Sequence, residues 1–383
     1  MLPFPENSGA RAIQGGTITR KADCISCKSQ KNVVSLKRYQ ANYFQVKTSS
    51  YYGVFLHDME KVELGGSGMS VARMGLGCWG MSDAYGRADR SEAIATIRLA
   101  VEMGISLLDT ADVYGGGDNE KLIAEAIKGL RSQVVIATKF GFVGDEHGNL
   151  TVCGKPEYVR QACEGSLQRL ATDVIDIYHL HRIDPEVEIE ETVGAMADLV
   201  REGKVRALAL SEVSAQTLSR AEKIHHISVL QSEYSLFSKE IENDVLAMCR
   251  EAGTAVLAFS PLGRGFLSGQ IVCESQLEKG DYRAGLPRFQ GQNLQKNLEI
   301  LGKIRAMAEE KNLTASQLAL AWLLNQGKDI IPIPGMKRRK YLHENLAAMD
   351  VRLTADEIAR LRQITSGIAG SRHNESNLKF IDA

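Results

Sequence analysis

The sequence predicts a single (β/α)8 TIM barrel, an α/β fold, with an N-terminal β-hairpin as its plug. Three observations carry this. From Met59 onward, eight short apolar segments alternate strictly with stretches of helical spacing. Such alternation means parallel pairing, and eight strands is the number at which a parallel sheet closes on itself. Glycines punctuate the helix-to-strand joints at Met103-Gly104, Glu202-Gly203 and Ala252-Gly253, where a residue in the left-handed region ends a helix. The rival architecture, an open doubly wound sheet, lacks its phosphate fingerprint, because no G-x-G-x-x-G stands between a first strand and its helix.

The elements follow in order. Residues 61–64 and 70–74, joined by Gly65-Gly66-Ser67-Gly68, read as the hairpin. Strands are expected over 73–77, 106–109, 134–138, 174–180, 205–210, 229–232, 255–259 and 330–332. Helices are expected over 91–103, 119–128, 157–170, 189–202, 214–223, 240–251 and 294–311, and again over 316–325 and 356–365.

Composition bounds the function. The chain has 383 residues, of which 44% are hydrophobic and 24% charged, the balance of an ordinary globular protein with one large core. Its net charge of −1 argues against a nucleic-acid or membrane-surface role. No apolar run is long enough to span a bilayer. The seven cysteines form no framework, and the single pair Cys24 and Cys27 lacks the second pair that a zinc site needs. No metal is expected, and free thiols suit a reducing compartment. Residues 1–58 stand apart, with eight basic residues against three acidic ones. They are expected to be an extension outside the barrel domain 59–383, a disordered or targeting segment. The expected location is cytoplasmic, or a plastid or mitochondrion if the extension is a transit peptide.

Chemistry is expected at the C-terminal mouth, where barrels keep it. Residues 106–114 form a short apolar strand that ends on Asp109, with Tyr114 five residues beyond, before the glycines at 115–117. The next strand closes on Lys139, an ammonium costly to desolvate unless paired, and Asp109 is its neighbour in a barrel. A phenol beside an ammonium has its pKa lowered, so Tyr114 reads as a general acid. His179 and His181 share one face of the fourth strand, with His181 nearer the mouth and His179 a barrel filler. Arg182 and Asp184 open the following loop, where they are expected to pair. Residues 259–265 and the basic run 337–340 read as a phosphate site at the last two loops.

Taken together, residues 75–80, 108–114, 137–139, 176–182, 210–212, 231–235, 260–265 and 333–337 make the chain resemble the aldo-keto reductases. The nearest branch is the plant and fungal one with auxin-induced-type and pyridoxal-reductase-like members. The resemblance implies NADPH bound on a barrel, and reduction of a small-molecule carbonyl. It implies Tyr114 as proton donor, with Asp109, Lys139 and His181 as partners. Ser211, Glu212 and Gln231 would hold the carboxamide, and Phe259 would stack on the nicotinamide. Gly77, Ser260, Leu262, Gly263 and Arg264 would meet the rest of the cofactor. Lys337 and Arg338 would take the 2′-phosphate, and Glu344 and Asn345 the adenine. Trp79, Phe140 and Phe142 would form an apolar substrate wall. The chain departs from the pattern at Phe259 and Met336, each lacking a hydroxyl found there in relatives, and at Ala124, Glu212 and His343. Two other readings are an NADPH-binding regulatory subunit like the potassium-channel β-subunits, and a Schiff-base aldolase built on Lys139. Asp109 opposes the second by keeping the lysine charged.

Overall fold

A computed structural model describes residues 59–144 and 150–382. Residues 1–58, with the expected extension and the Cys24–Cys27 pair, lie outside them.

The chain enters through an antiparallel hairpin, β1 (Lys61–Glu63) and β2 (Ser70–Ala72). The first half of the barrel then runs β3 (Leu76–Gly77), α1 (Arg90–Glu102), β4 (Leu107–Asp109), α2 (Asp118–Ala126) and β5 (Val135–Phe140). A small antiparallel ribbon, β6 (Phe142–Gly144) and β7 (Leu150–Val152), follows before α3 (Pro156–Leu170). Then come β8 (Ile175–Leu180), α4 (Ile189–Arg201), β9 (Val205–Ser211), α5 (Ala215–Glu222), β10 (Ile227–Glu233), α6 (Val245–Ala252) and β11 (Ala255–Phe259). The chain finishes through α7 (Gly291–Glu310), α8 (Ala315–Leu324), β12 (Ile330–Pro332), α9 (Arg339–Leu346), α10 (Ala355–Ile364) and the short α11 (Glu375–Leu378).

Eight parallel strands form one sheet, in the order β12-β11-β10-β9-β8-β5-β4-β3. Its two edges meet: the Gly75 N–H donates to Pro332 O at 3.0 Å and the Gly77 N–H to Pro334 O at 3.1 Å. A Cβ on Gly77 would stand 2.7 Å from Ile333 O, so the seam needs a glycine there.

Alternation along the strands decides what fills the barrel. Leu107, Val135, Ala137, Ile177, Ala207, Ala209, Val229, Ala255, Leu257 and Ile331 share one apolar interior cluster. The hairpin residues Val62, Leu64, Met69 and Val71 belong to the same cluster, so the hairpin plugs the barrel as expected. Two residues further along these strands, the inward positions are Asp109, Lys139, His179, Ser211, Gln231 and Phe259. The same parity that packs the interior therefore aims polar groups at the mouth. A second apolar cluster lies between the strands and the helices.

Three local differences from the sequence reading have physical causes. The first strand is shorter than 73–77, because Arg73 turns its guanidinium onto Leu324 O at 2.5 Å and Gly327 O at 3.2 Å. The helix expected over 240–251 is interrupted: a 3-10 turn at Glu240–Glu242 gives way to α6 through Asp244, whose φ of −152° is not helical. The ribbon β6–β7 was not expected at all, its second strand being only three residues long.

Leu64 is fully buried beneath the barrel, so Leu64→Ala should cost ~2–5 kcal/mol by lost transfer energy and a cavity. Urea denaturation should show this as a lower midpoint at unchanged slope. A midpoint equal to the parent's would mean that the hairpin does not contribute to the core.

Candidate active site

Lys139 is fully buried, and its ammonium is surrounded by oxygen. Its Nζ lies 2.8 and 2.9 Å from the two Asp109 carboxylate oxygens, 2.7 Å from Thr110 O and 3.2 Å from the Tyr114 hydroxyl. Burial by itself would lower its pKa, but Asp109 and Tyr114 outweigh burial and raise it, so the ammonium stays charged. The pair meets because β4 and β5 are hydrogen-bonded neighbours, with Asp109 opposite Ala137. Gln231 Nε2 donates to Asp109 Oδ1 at 2.7 Å from across the barrel.

Tyr114 begins a one-turn 3-10 helix, Tyr114–Gly117, that leads into α2. The loop before it is pinned from behind, where Thr110 Oγ1 donates to Asn119 Oδ1 at 2.7 Å. The expected lowering of the phenol pKa does not occur. Burial raises it, and Lys139 offsets only part of that rise. The phenol therefore keeps its proton at neutral pH.

The His181 ring lies 5.8 Å from that of Tyr114, centroid to centroid, at 77°. Burial, with Arg182 and Lys139 nearby, holds its pKa well below the ordinary value, so the imidazole is neutral. Its Nδ1 is buried without a partner among the described residues. His179 lies one layer below, with Nδ1 3.3 Å from Thr138 O and its pKa pushed down to about 3 by burial, as suits a barrel filler.

A cavity of about 630 Å³ opens over these groups. Asp109, Tyr114, His181, Ser211 and Gln231 line one end, with Gly77, Trp79 and Phe142 beside them. Phe259, Ser260, Leu262 and Arg264 continue the wall, and Arg338, Glu344 and Asn345 stand in it further along. Lys337 lines it too, but its Nζ donates to the carbonyls of Tyr85, Gly86 and Arg87 at 2.9, 3.2 and 3.3 Å. It anchors the loop after β3.

Besides Lys139, which is buried beneath it, three expected residues are not on this wall. Phe140 is fully buried and stacks on Tyr178 with ring centroids 4.7 Å apart. Its parity is opposite to that of Lys139, so it faces the helices and cannot form a substrate wall. Gly263 sits in a turn behind the wall, its N–H donating to Ser260 O at 2.8 Å. Glu212 turns its carboxylate to Arg372, which donates from Nη1 at 2.9 Å and Nη2 at 2.5 Å. Burial alone would raise the Glu212 pKa, but Arg372 and then Arg182 bring it down to about 2. Glu212, Ser260 and Arg264 all have positive φ (55°, 49° and 56°), a conformation that costs ~1–3 kcal/mol in such residues and clusters here at the mouth.

The sequence reading missed several wall residues. Tyr85 and Tyr282 pack edge-on against Trp79 with centroids 5.0 and 5.1 Å away. The C-terminal segment adds His373, Asn377 and Phe380. Phe380 meets Phe142 edge-on at 5.5 Å, and Asn377 Nδ2 donates to the Tyr282 hydroxyl at 2.8 Å. The only sequence signal was that residues 268–292 and 367–383 are long connections without period, where specificity usually lies.

Residues 73–366 match the model of the Aldo/keto reductase family. Among solved structures, the chain is similar to a glycerol dehydrogenase from Gluconobacter oxydans, at 26% identity and a TM-score of 0.74, covering 83% of this chain and 99% of that one. It is also similar to an aldo/keto reductase from Klebsiella pneumoniae solved with NADP and acetate, at 30% identity and a TM-score of 0.63, with 83% and 99% covered. A third is an aldo-keto reductase from Bacillus halodurans in its holo form, at 27% identity and a TM-score of 0.65, with 80% and 96% covered.

Arg372→Ala should leave a buried carboxylate unpaired, at a cost of ~3–5 kcal/mol near pH 7. Glu212 has a folded pKa depressed from 4.5 to about 2, so the pair's contribution is present above about 4.5 and fades as pH falls towards 2. Denaturation of parent and variant should therefore differ most at neutral pH and converge in acid. Equal stability at pH 7 would show that the pair contributes nothing.

Proposed function

We propose, since the chain belongs to the aldo/keto reductase family, that it reduces small aldehydes or ketones to alcohols with NADPH. The observation that carries this is the buried Asp109–Lys139 pair holding a protonated Tyr114 beside a neutral His181 at the end of an open cavity.

The cavity's residues suit the cofactor. Ser211 and Gln231 offer hydrogen bonds where a carboxamide would lie, Phe259 offers a ring face, and Ser260 and Leu262 bring backbone close to the wall. Arg338 forms no ion pair among the described residues and stands at the far part of the wall with Glu344 and Asn345. We assign the 2′-phosphate to Arg338 in place of Lys337, whose ammonium is already held by three carbonyls. When bound, NADPH supplies hydride to the carbonyl carbon.

The protein's own residues handle the charge that then builds on the carbonyl oxygen. Tyr114 donates its proton to that oxygen. Neutral His181 donates a hydrogen bond to the same atom, so both stabilise the transition state more than the ground state. Lys139 stays charged beside the phenolate left behind, and Asp109 holds Lys139 in place. Trp79 and Phe142 wall the substrate end. The plant and fungal branch expected from the sequence finds no support among the solved relatives described above, which are bacterial. Turnover of simple aldehydes would set this reading apart from a purely regulatory NADPH-binding subunit.

Tyr114→Phe removes the hydroxyl alone, so NADPH binding should survive while kcat falls ~10²–10⁴-fold. Lys139→Met should lose much of the same activity, and the double variant should be little worse than the worse single, as for groups that act as one unit. Steady-state kinetics on one aldehyde, alongside NADPH fluorescence titration, would check this. Near-parent turnover by Tyr114→Phe would move the proton source elsewhere, to His181 first. In the same titration Arg338→Ala should weaken NADPH roughly 10- to 150-fold and spare NADH, since a bond to a charged group is worth ~1.5–3 kcal/mol. Equal weakening of both cofactors would remove Arg338 from the 2′-phosphate.

A further inference from the structure

Arg182 is a buried guanidinium with no carboxylate in ion-pair contact among the described residues; Glu212 is the nearby charge that favours its cation, but Glu212 is bound by Arg372. Arg182 is 8% exposed, and its Nη1 donates to His181 O at 2.5 Å and Ser211 Oγ at 3.1 Å. It forms no ion pair with an Asp or Glu among the described residues. The local partner expected for it, Asp184, is committed elsewhere: its carboxylate accepts from the N–H groups of Gly154 at 2.9 Å and Glu186 at 3.0 Å. A buried charge of this kind is costly unless something pairs with it.

The neighbouring charges do not supply the pair. Glu212 is held by Arg372, and Glu233 is shared by Arg264 at 3.1 Å and Arg288 at 3.6 Å. With Arg182, that puts four guanidiniums around Glu212 and Glu233, with Glu240 acting on Arg288 and Arg372 as the third carboxylate. His373 adds no charge of its own, because burial, with Arg264 and Arg372 nearby, pushes its pKa down to about 3. It is 4% exposed; its Nε2 stands 3.7 Å from Glu233 Oε2, beyond hydrogen-bond distance, and neither ring nitrogen has a hydrogen-bond partner among the described residues. Both Arg182 and His373 line the cavity. The Arg182 guanidinium lies 5.9 Å from the Phe142 ring, and that ring lies 4.8 Å from His181. The unmatched positive charge is therefore beside the proton-donating groups, on the substrate's side.

We propose that the carbonyl substrate carries an anionic group, a carboxylate or phosphate, which Arg182 receives through its free guanidinium edge with His373 as a second hydrogen-bonding partner. The proposal rests on the carbonyl-reductase reading above and names its substrate class. The anion neutralises the surplus charge and orients the carbonyl towards Tyr114, so a charged aldehyde is preferred over a neutral one of the same shape.

The test compares 4-carboxybenzaldehyde with methyl 4-formylbenzoate, both with NADPH, in the parent, Arg182→Met, Arg182→Lys and His373→Leu enzymes. Calorimetry of 4-(hydroxymethyl)benzoate binding to each enzyme with NADP⁺, and NADPH fluorescence titration, run in parallel. The parent should favour the carboxylate in kcat/KM by ~10-fold or more, as expected for a bond to a charged group. Arg182→Met should erase that ratio and the calorimetric signal, Arg182→Lys should restore part of both, and His373→Leu should reduce the ratio several-fold. His373 donates nothing to Ser211, so this last variant tests the subsite even if Arg182→Met fails to fold. A parent that reduces the ester as well as the acid overturns the proposal and leaves the reductase reading standing. If Arg182→Met weakens NADPH while the ratio survives, the guanidinium serves the cofactor's pyrophosphate, and the proposal falls. No turnover of either aldehyde and no NADPH binding would overturn the reductase reading itself.

Discussion

An ammonium buried at the end of a strand is the constraint on which the rest of this structure turns. Desolvating such an ion costs several kcal/mol, and only close, well-aimed partners offset it. Lys139 has four oxygens between 2.7 and 3.2 Å, supplied by the Asp109 carboxylate, the Thr110 carbonyl and the Tyr114 hydroxyl. They come from β4, the loop after it and the turn before α2, while the lysine comes from β5. The ammonium thus ties the strand end, the loop and the phenol into one unit. It can do so only because β4 and β5 are neighbours in register and Lys139 has the parity that faces the barrel axis. The fold places the charge, and the charge fixes the phenol.

Parity also explains what was legible in the sequence. Asp109, Lys139 and His181 could be found because each closes an apolar strand, and the period-two rule then says which way it points. The same rule, carried one residue further, would have excluded Phe140, which directly follows inward Lys139 on β5 and faces the helices. Glu212 lies past the end of β9 with a φ of 55°, where parity no longer applies, and its pairing with Arg372 had no signal in the sequence. The hairpin plug was readable from its glycine turn. The direction of the Tyr114 pKa was not, because it depends on how much burial outweighs one neighbouring ammonium, a balance no spacing encodes. Nor was the separation of Arg182 from Asp184. Two oppositely charged residues two apart invite a local pair, yet the carboxylate instead satisfies two backbone N–H groups, that of Glu186 in its own loop and that of Gly154 in the connection before α3.

The C-terminal segment was the least legible part, for a related reason. It has no period to read, and its placement is decided by long-range contacts. Arg372 reaches Glu212 at the end of β9. Asp382 accepts from Ser214 at the start of α5, and Asn297 on α7 holds Ala369 O. Each contact closes more than seventy residues of chain. None could be inferred from neighbours in sequence. Together they bring His373, Asn377 and Phe380 to the cavity as a wall facing Phe142 and Tyr282.

This arrangement separates two tasks that a barrel mouth must combine. The strand ends, locked by backbone ladders, hold the buried Asp109–Lys139 pair and His181 around the Tyr114 hydroxyl. The segments laid across them, held by a few ion pairs and rings, shape what can approach. The strain of the second layer is visible in its charges, since the four guanidiniums of Arg182, Arg264, Arg288 and Arg372 lie together against self-repulsion and desolvation. A fold gains nothing in stability from such a cluster, because apolar residues of similar volume would pack there at no such cost. Local rules broken without a compensating contact inside the protein point to a compensation outside it. Here the Arg182 guanidinium, without an ion pair among the described residues, and the His373 nitrogens, without a hydrogen bond, coincide with the open cavity, which is where a negatively charged guest would restore the balance.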